Sequence, residues 1–335
     1  AETPIERTSF VICVEHKIVL QTNMIYQIVL ALALAASASA KVYTDDATQQ
    51  KYMWESFKRE YFRNYESMEE ENRRFNIFLE NIKLVDLRNL AEKRAGGSAI
   101  HGITKFSDLS QAEFESRFLT ADVSMKSTSP KEDFEGAVDA TAGLVDWTGK
   151  FTTPVKDQGY CGSCWAFSAT EQLESDAMRT LGASYVLSPE QITQCATKAY
   201  GCNGGWTEVA YAYVKTAGGI ETDANYPYTS YNGVTGTCKA TASKYVLTVT
   251  SYSTLSSESS MASYVQTKGP LSVCLDANNF NSYKGGIMSV CGNSVDHCVQ
   301  AVGVDASTGG YWKVRNSWGT KWGEAGHILS LIHIS

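Results

Sequence analysis

Gln158-Gly-Tyr-Cys161-Gly-Ser-Cys164-Trp-Ala-Phe167, the stretch QGYCGSCWAF, decides how the rest of this chain is read. Two cysteines stand three apart, a spacing that three chemistries use. It can be a redox dithiol, half of a metal site, or a nucleophile beside a structural cysteine. A redox pair needs Cys161 free to react with Cys164. A zinc site needs further ligands, and Cys195 and Cys202 in CATKAYGC are on offer. A nucleophile needs a base that holds it as thiolate, and the base needs an orienting group.

Five histidines are candidates for the base. His16 lies in the first residues, His101 in a helical early segment and His333 in the last ones. His297 sits in an apolar, strand-like run (VDHCVQAVG), where a lone histidine is more often a core residue. His327 closes YWKVRNSWGTKWGEAGH, which also carries Asn316 and Trp318. Cysteine, histidine about 130 residues on, then asparagine is an order used by thiol nucleophiles. The run from Cys164 predicts a helix to Leu181, stopped by Gly182, with Leu173, Ala177 and Leu181 on a buried face. Cys164 then lies at a helix N-terminus, where partial positive charge favours thiolate. Beside an imidazolium, such a thiol can fall to a pKa of roughly 3–4.

The rest of the chain adds processing signals. It has 335 residues, net charge −7 and no basic cluster, which excludes nucleic acid as an expected partner. Nine cysteines suit an oxidising compartment. Residues 24–40 (MIYQIVLALALAASASA) read as a secretory signal, too short for a comfortable membrane span. Residues 1–23 read as translated upstream sequence. The last residues, LSLIHIS (329–335), resemble a translated library adapter, so the natural chain is expected to continue beyond Ile328; a short terminal strand is the other reading. Tyr52 to Leu90 predicts one or two helices. Glu70, Arg74, Phe78, Asn81, Val85 and Asn89 share one stripe of it. GITKFSDLS follows, and after Phe118 a polar segment reads as an exposed linker open to nicking.

The stripe resembles the Glu-Arg-Phe-Asn-Ile-Asn signature of propeptides in cathepsin L-like cysteine proteases of the papain family, with Val85 in place of Ile. Gly102, Phe106 and Asp108 resemble the Gly-x-Asn-x-Phe-x-Asp signature that follows, with Thr104 in place of Asn. CGSCW, GCNGGW and NSWG complete the resemblance, which runs from Val145 to about Gly326. It implies an α+β, two-lobed papain-like fold, with a helical N-terminal lobe and a β-barrel-like C-terminal lobe. An inhibitory propeptide and linker (41–140) precede the peptidase domain (141–328), and the propeptide's tail crosses the cleft.

By this resemblance Cys164 is the nucleophile, His297 the base, Asn316 its orienting group and Gln158 an oxyanion donor. Trp318 shields the His297–Asn316 bond. Gly204 and Gly205 bind substrate backbone. Trp206, Thr207, Cys274, Val295 and Cys298 line the pocket for the side chain two before the scissile bond, implying a hydrophobic residue there. His327 stands where the family usually has Tyr and is left structural. The resemblance pairs Cys161 with Cys202 and Cys195 with Cys238. Cys274 and Cys298 fall on facing strands and are expected to form an extra bridge, with Cα atoms roughly 4.4–6.8 Å apart; two buried thiols are the other reading. The partner of Cys291 is expected beyond Ile328. Implied partners are protein and peptide substrates, the chain's own propeptide and cystatin-like inhibitors. No cofactor, metal or membrane is implied, and the protein is expected to be a monomer in the secretory pathway, bound for lysosome or exterior. An inactive secreted homologue, acting as a binding or inhibitory module, is the alternative.

Overall fold

The computed structural model describes residues 41–331 apart from 127, 128, 135 and 137. The segments 1–23 and 24–40 and residues 332–335 lie outside the described residues.

The early helical segment is two helices. Helix α1 (Ala47–Glu60) starts at Asp46, whose carboxylate accepts the N–H groups of Thr48 and Gln49. Helix α2 (Met68–Ala95) starts at Ser67 and ends at Gly96, whose φ of 79° suits a residue without Cβ. Trp54 and Phe57 of α1 pack on Phe78 and Ile82 of α2 as a small separate core.

The six-residue stripe does more than bury one face. Phe78 and Val85 are buried, as an amphipathic stripe requires. Its polar members instead hold the chain that follows. Asn81 donates to the carbonyls of Ser107 and Leu109, at 2.8 Å each. Asn89 donates to the carbonyl of His101 and accepts its N–H at 2.7 Å. Arg74 joins Glu70, Glu113 and the carbonyl of Asp108. The strand β1 (Ile100–His101) and helix α3 (Gln111–Phe118) are thereby fixed. Ser110 and Glu113 close α3 with reciprocal capping bonds.

Beyond α3 the chain does not behave as a wholly exposed linker. Ala121 and Met125 pack against a buried cluster while Val123, Ser124 and Lys126 between and after them are exposed, and the segment continues along the surface into β2 (Lys131–Glu132). The peptidase domain then opens with β3 (Leu144–Asp146). Helix α4 spans Cys164–Leu181 and stops at Gly182, φ 66°, as the sequence predicts. Leu173 and Ala177 are buried, but Leu181 is 65% exposed, because the last turn projects past the lobe that α4 supports. That lobe packs α4 against α5 (Pro189–Cys195) and α6 (Thr207–Ala217), around Trp165, Ala169, Ile192, Ala210 and Val214.

The second lobe is a six-stranded sheet beside helix α7 (Glu258–Thr267). It contains β5 (Leu271–Leu275), β7 (Ile287–Met288), β8 (His297–Asp305), β9 (Trp312–Arg315) and β10 (His327–Ser330). The order is β3-β8-β9-β10-β7, with β5 also antiparallel to β8. Leu329 and Ser330 continue β10 and pair with both β9 and β7. Two short strands complete the set, β4 (Thr254–Leu255) beside β2 and β6 (Tyr283–Gly285) beside β1. The run KYVLTVTSY (244–252), rich in β-branched and aromatic residues, forms no strand. Its Leu247 makes a single bridge to Ile220, and Val246, Val249 and Tyr252 lie on the helical lobe, which offers no strand edge to extend the pairing.

The pro-unit is built into the sheet lobe rather than laid beside it. Phe106, Phe114 and Phe118 share one core with Phe280, Trp318 and Trp322.

Candidate active site

Cys164 is the first residue of α4 and His297 the first of β8, so each candidate sits at the end of a regular element that faces the other lobe. The elements are tied directly, since Ser168 of α4 donates to the carbonyl of Val299 in β8 at 2.7 Å. Cys164, His297, Asn316, Gln158 and Trp318 are all fully buried.

Asn316 follows β9, and its Oδ1 accepts the N–H of Ser317 at 2.8 Å. That bond identifies the oxygen, so the 2.9 Å contact between Oδ1 and His297 Nε2 needs a proton on Nε2. Nδ1 is left as the basic nitrogen. Trp318 lies over the imidazole, ring centroids 4.8 Å apart, and so covers the side of this pair. Phe106, Phe114 and Phe118 of the pro-unit meet Trp318 edge-on at 5.0–6.0 Å. The pro-unit therefore grips the residue that covers the histidine.

Gln158 is held at both ends. Its Nε2 donates to the carbonyl of Cys161 at 2.8 Å, and its Oε1 accepts the Ser317 hydroxyl at 2.7 Å. One N–H of the amide remains for another acceptor. Ser317 is a supporting residue that the sequence alone does not single out.

The segment after α3 runs through this site. Ala121 bridges to Gly205 in parallel, and the N–H of Asp122 donates to the carbonyl of Gly205 at 3.0 Å. A Cβ on Gly204 would stand 2.4 Å from the carbonyl oxygen of Thr120, and one on Gly205 would stand 2.6 Å from the Trp165 ring. Gly204 therefore permits a close approach of the tail's backbone, and Gly205 leaves room for the Trp165 ring beneath it. Thr120 borders the Cys164 sulfur, and the backbone of Phe118 borders the imidazole.

This cover changes the ionisation expected from sequence. Burial pushes the Cys164 thiol up to about 11, even though N–H groups of Cys298 and Trp165 point at the sulfur. Burial pulls His297 down to about 4, against the Asn316 bond. Both shifts favour the neutral forms of the two groups. Desolvation outweighs the helix N-terminus, whose field alone points to a thiolate.

The structure places three disulfides: Cys161–Cys202, Cys195–Cys238 and Cys274–Cys298. The third joins directly opposed residues of β5 and β8, with Cα atoms 4.0 Å apart, below the range expected from sequence. Direct cross-strand pairing already brings opposed Cα atoms to about 4.5 Å at the narrow pairs, and the bridged pair stands slightly closer still. Cys164, Trp206, Cys274 and Cys298 form one buried cluster, with Val295 and Met125 packed against it. Thr207, the first residue of α6, is buried beside Trp206. Cys291 takes part in none of the three bridges and packs on the sheet-lobe core. His327 is buried in β10, and its Nδ1 lies 3.2 Å from the carbonyl oxygen of Ala325.

Residues 142–333 match the papain family cysteine protease model, and residues 54–114 match the cathepsin propeptide inhibitor domain. Digestive cysteine proteinase 1 of Homarus americanus is 36% identical over 82% of this chain and 88% of its own length. The cathepsin L-like proteinase of Phaedon cochleariae is 35% identical over 89% of this chain and 93% of its own. Among solved structures, digestive procathepsin L 3 of Tenebrio molitor superposes with a TM-score of 0.75. It is 30% identical, covering 84% of this chain and 93% of that one. The chain belongs to the papain family of cysteine proteases and is a zymogen carrying its own inhibitory propeptide.

Proposed function

We propose that Cys164 is the nucleophile of this protease and His297 its base, with Asn316 orienting the imidazole and Gln158 supplying an oxyanion donor. The observation that carries the reading is the hydrogen bond from His297 Nε2 to Asn316 Oδ1 beneath Trp318. It fixes the tautomer and leaves Nδ1 as the nitrogen that exchanges a proton with the thiol. When the tail leaves, water returns to the cleft. The N-terminus of α4 and the imidazole then favour the ion pair over the neutral pair. The thiolate attacks the scissile carbonyl, and the free N–H of Gln158 and the Cys164 N–H meet the oxyanion. Losing one such donor costs about 3–4 kcal/mol in comparable sites. His297 protonates the leaving amine, then draws a proton from the water that releases the acyl group.

The substrate is a polypeptide that lies along Gly204 and Gly205 where the tail now lies. It presents a hydrophobic side chain to Trp206, Thr207, Cys274, Val295 and Cys298. Apolar lining, with Met125 of the tail already packed there, supports that preference. The protein acts as a monomer in the secretory pathway, in lysosomes or outside the cell, and cystatin-like inhibitors are its expected external regulators.

Cys164→Ala tests the assignment. It should lower kcat on peptide substrates by on the order of 10⁶, as removal of a catalytic nucleophile does elsewhere, and abolish covalent labelling by an epoxide inhibitor. Activity near that of the unaltered enzyme would sink the assignment.

A further inference from the structure

Cys274 and Cys298 stand opposite each other on adjacent strands and are covalently joined, so one wall of the pocket beside Cys164 is cross-linked sulfur. Two thiols at these positions could turn about their side-chain torsions and yield to a bulky guest. A bonded pair has no such freedom. The longest side chain that the tail packs against the cluster of Cys164, Trp206, Cys274 and Cys298 is Met125, unbranched and narrow.

We propose that the Cys274–Cys298 bridge is the specificity-determining element of the pocket. It holds the wall rigid and shallow, selects a slender aliphatic side chain over an aromatic ring, and relaxes that selection when reduced. The inference rests on the assignment of Cys164 and of the pocket given above. Pocket mismatches of one methylene are worth roughly 10–200-fold in discrimination, so a wall displaced by the size of a sulfur atom is enough to matter.

The redox step is an ordinary exchange with a dithiol reductant. One reductant thiolate attacks a sulfur of the bridge and expels the other cysteine as thiolate, which takes up a proton. The second reductant thiol then attacks the mixed disulfide, closing a cyclic disulfide and freeing the remaining cysteine. Two electrons pass from the dithiol to the protein. In the full-length chain both cysteines are buried, at 3% and 0% exposure, in a cluster against which Ala121 and Met125 of the tail pack. The bridge should therefore become accessible to reductant only after the tail has left.

The test uses two peptide substrates that differ only in Leu or Phe two before the scissile bond. Their kcat/KM ratio is measured for processed enzyme with the bridge intact, for the same enzyme after dithiothreitol, and for Cys274→Ala/Cys298→Ala. Differential alkylation and mass spectrometry report the bridge's state in each sample and in the full-length chain. The ratio does not depend on the active fraction, so oxidation of Cys164 does not enter it. The expected results are a preference for Leu with the bridge intact and a shift towards Phe of about tenfold or more in the double variant. A smaller shift in the same direction is expected on reduction, with the full-length chain resisting reduction. An unchanged ratio after confirmed reduction would overturn the proposal alone, and this arm needs no variant that might misfold. Hydrolysis that survives Cys164→Ala would overturn the site assignment and the proposal with it.

Discussion

Arg74 in the pro-unit and Trp165 in the helical lobe are both buried, yet their surroundings have little in common. Arg74 is ringed by Glu70, Glu113 and the carbonyl of Asp108. Trp165 packs with Ala169, Leu173, Ile192 and Ala210, in a lobe stapled by Cys161–Cys202 and Cys195–Cys238. The same contrast holds where pro-unit meets enzyme. Glu92, 1% exposed, accepts the N–H groups of Ser289 and Val290 and the Ser289 hydroxyl at 2.7–3.0 Å. Arg88 donates to Asn281 and Ser282. Charge and hydrogen bonds hold the part that must be released. The part that must survive release carries the disulfides and is held mainly by apolar burial, although it also contains the Lys156–Glu174 and Arg315–Glu171 ion pairs. Protons act on charged contacts and leave disulfides intact.

The pro-unit has apolar contacts too, in its own Trp54–Phe57–Phe78–Ile82 core and in the aromatic cluster at Trp318, and the second is the first place to break the comparison. Phe106→Ala should cost about 3–5 kcal/mol of packing, more than any single charged contact. Full-length chain carrying it should react with an active-site label at neutral pH, where the unaltered chain stays latent. Continued latency would show that the aromatic grip contributes little.

Cys161→Ala should act on the other side. Loss of the Cys161–Cys202 bridge should lower the stability of the processed domain by about 2–5 kcal/mol, read by thermal unfolding. It should leave an active nucleophile in the molecules that remain folded. Inactivity in folded protein would mean that Cys161 has a chemical role.

Acid sharpens the contrast further. Burial works against the charge on Glu113, but hydrogen bonds from Arg74 and the Ser110 N–H outweigh it and hold the carboxyl at about 2, below its ordinary 4.5. Arg73 and Arg74 hold Glu70 at about 2 as well. Groups with depressed values stabilise the folded pro-unit above pH 4.5, and that contribution fades as pH falls towards 2. Asp108 runs the other way: burial raises it despite Arg63 and Tyr65, so its contribution is present at low pH and lost as pH rises. Asp108 is thus no trigger for release by acid, although its place in the Phe106–Asp108 signature invites that reading. Glu113→Gln keeps a capping acceptor but removes the charge, a loss of about 1.5–3 kcal/mol. It should weaken latency at pH 6 and flatten its dependence between pH 4.5 and 2. An unaltered pH profile of latency would remove Glu113 from the release mechanism.

Much of this was legible in the sequence. The apolar spacing after Cys164 and the glycine at 182 delimit α4, and the proposed nucleophile, base and orienting residue (Cys164, His297, Asn316) come in chain order. The stripe on α2 was legible as a stripe, but the use of Asn81 and Asn89 was not, because their partners are backbone groups that a side-chain pattern cannot display. Arg88 and Glu92, four apart on α2, both turn to the enzyme, where partners at 281–282 and 289–290 lie too far along the chain for a local pattern to display them. The run 244–252 alternates like a strand, but a strand needs an edge to pair with. Burial is what pushes Cys164 and His297 towards their neutral forms, against the hydrogen bonds that Thr120 and Phe118 offer them, and the local sequence around either residue contains no sign of that burial.

The central claim is that the tail desolvates the Cys164–His297 pair and holds it neutral, and that its removal restores the ion pair. The rate of Cys164 alkylation by iodoacetamide, measured against pH in full-length and processed protein, tests this directly. The processed enzyme should react at a rate that is nearly flat from pH 5 to 8, because the thiolate is already formed at roughly pH 4. In the full-length chain the reaction should be slow and rise only in alkali, towards the value of about 11 set by burial. Identical rates and identical pH profiles in the two forms would contradict the account.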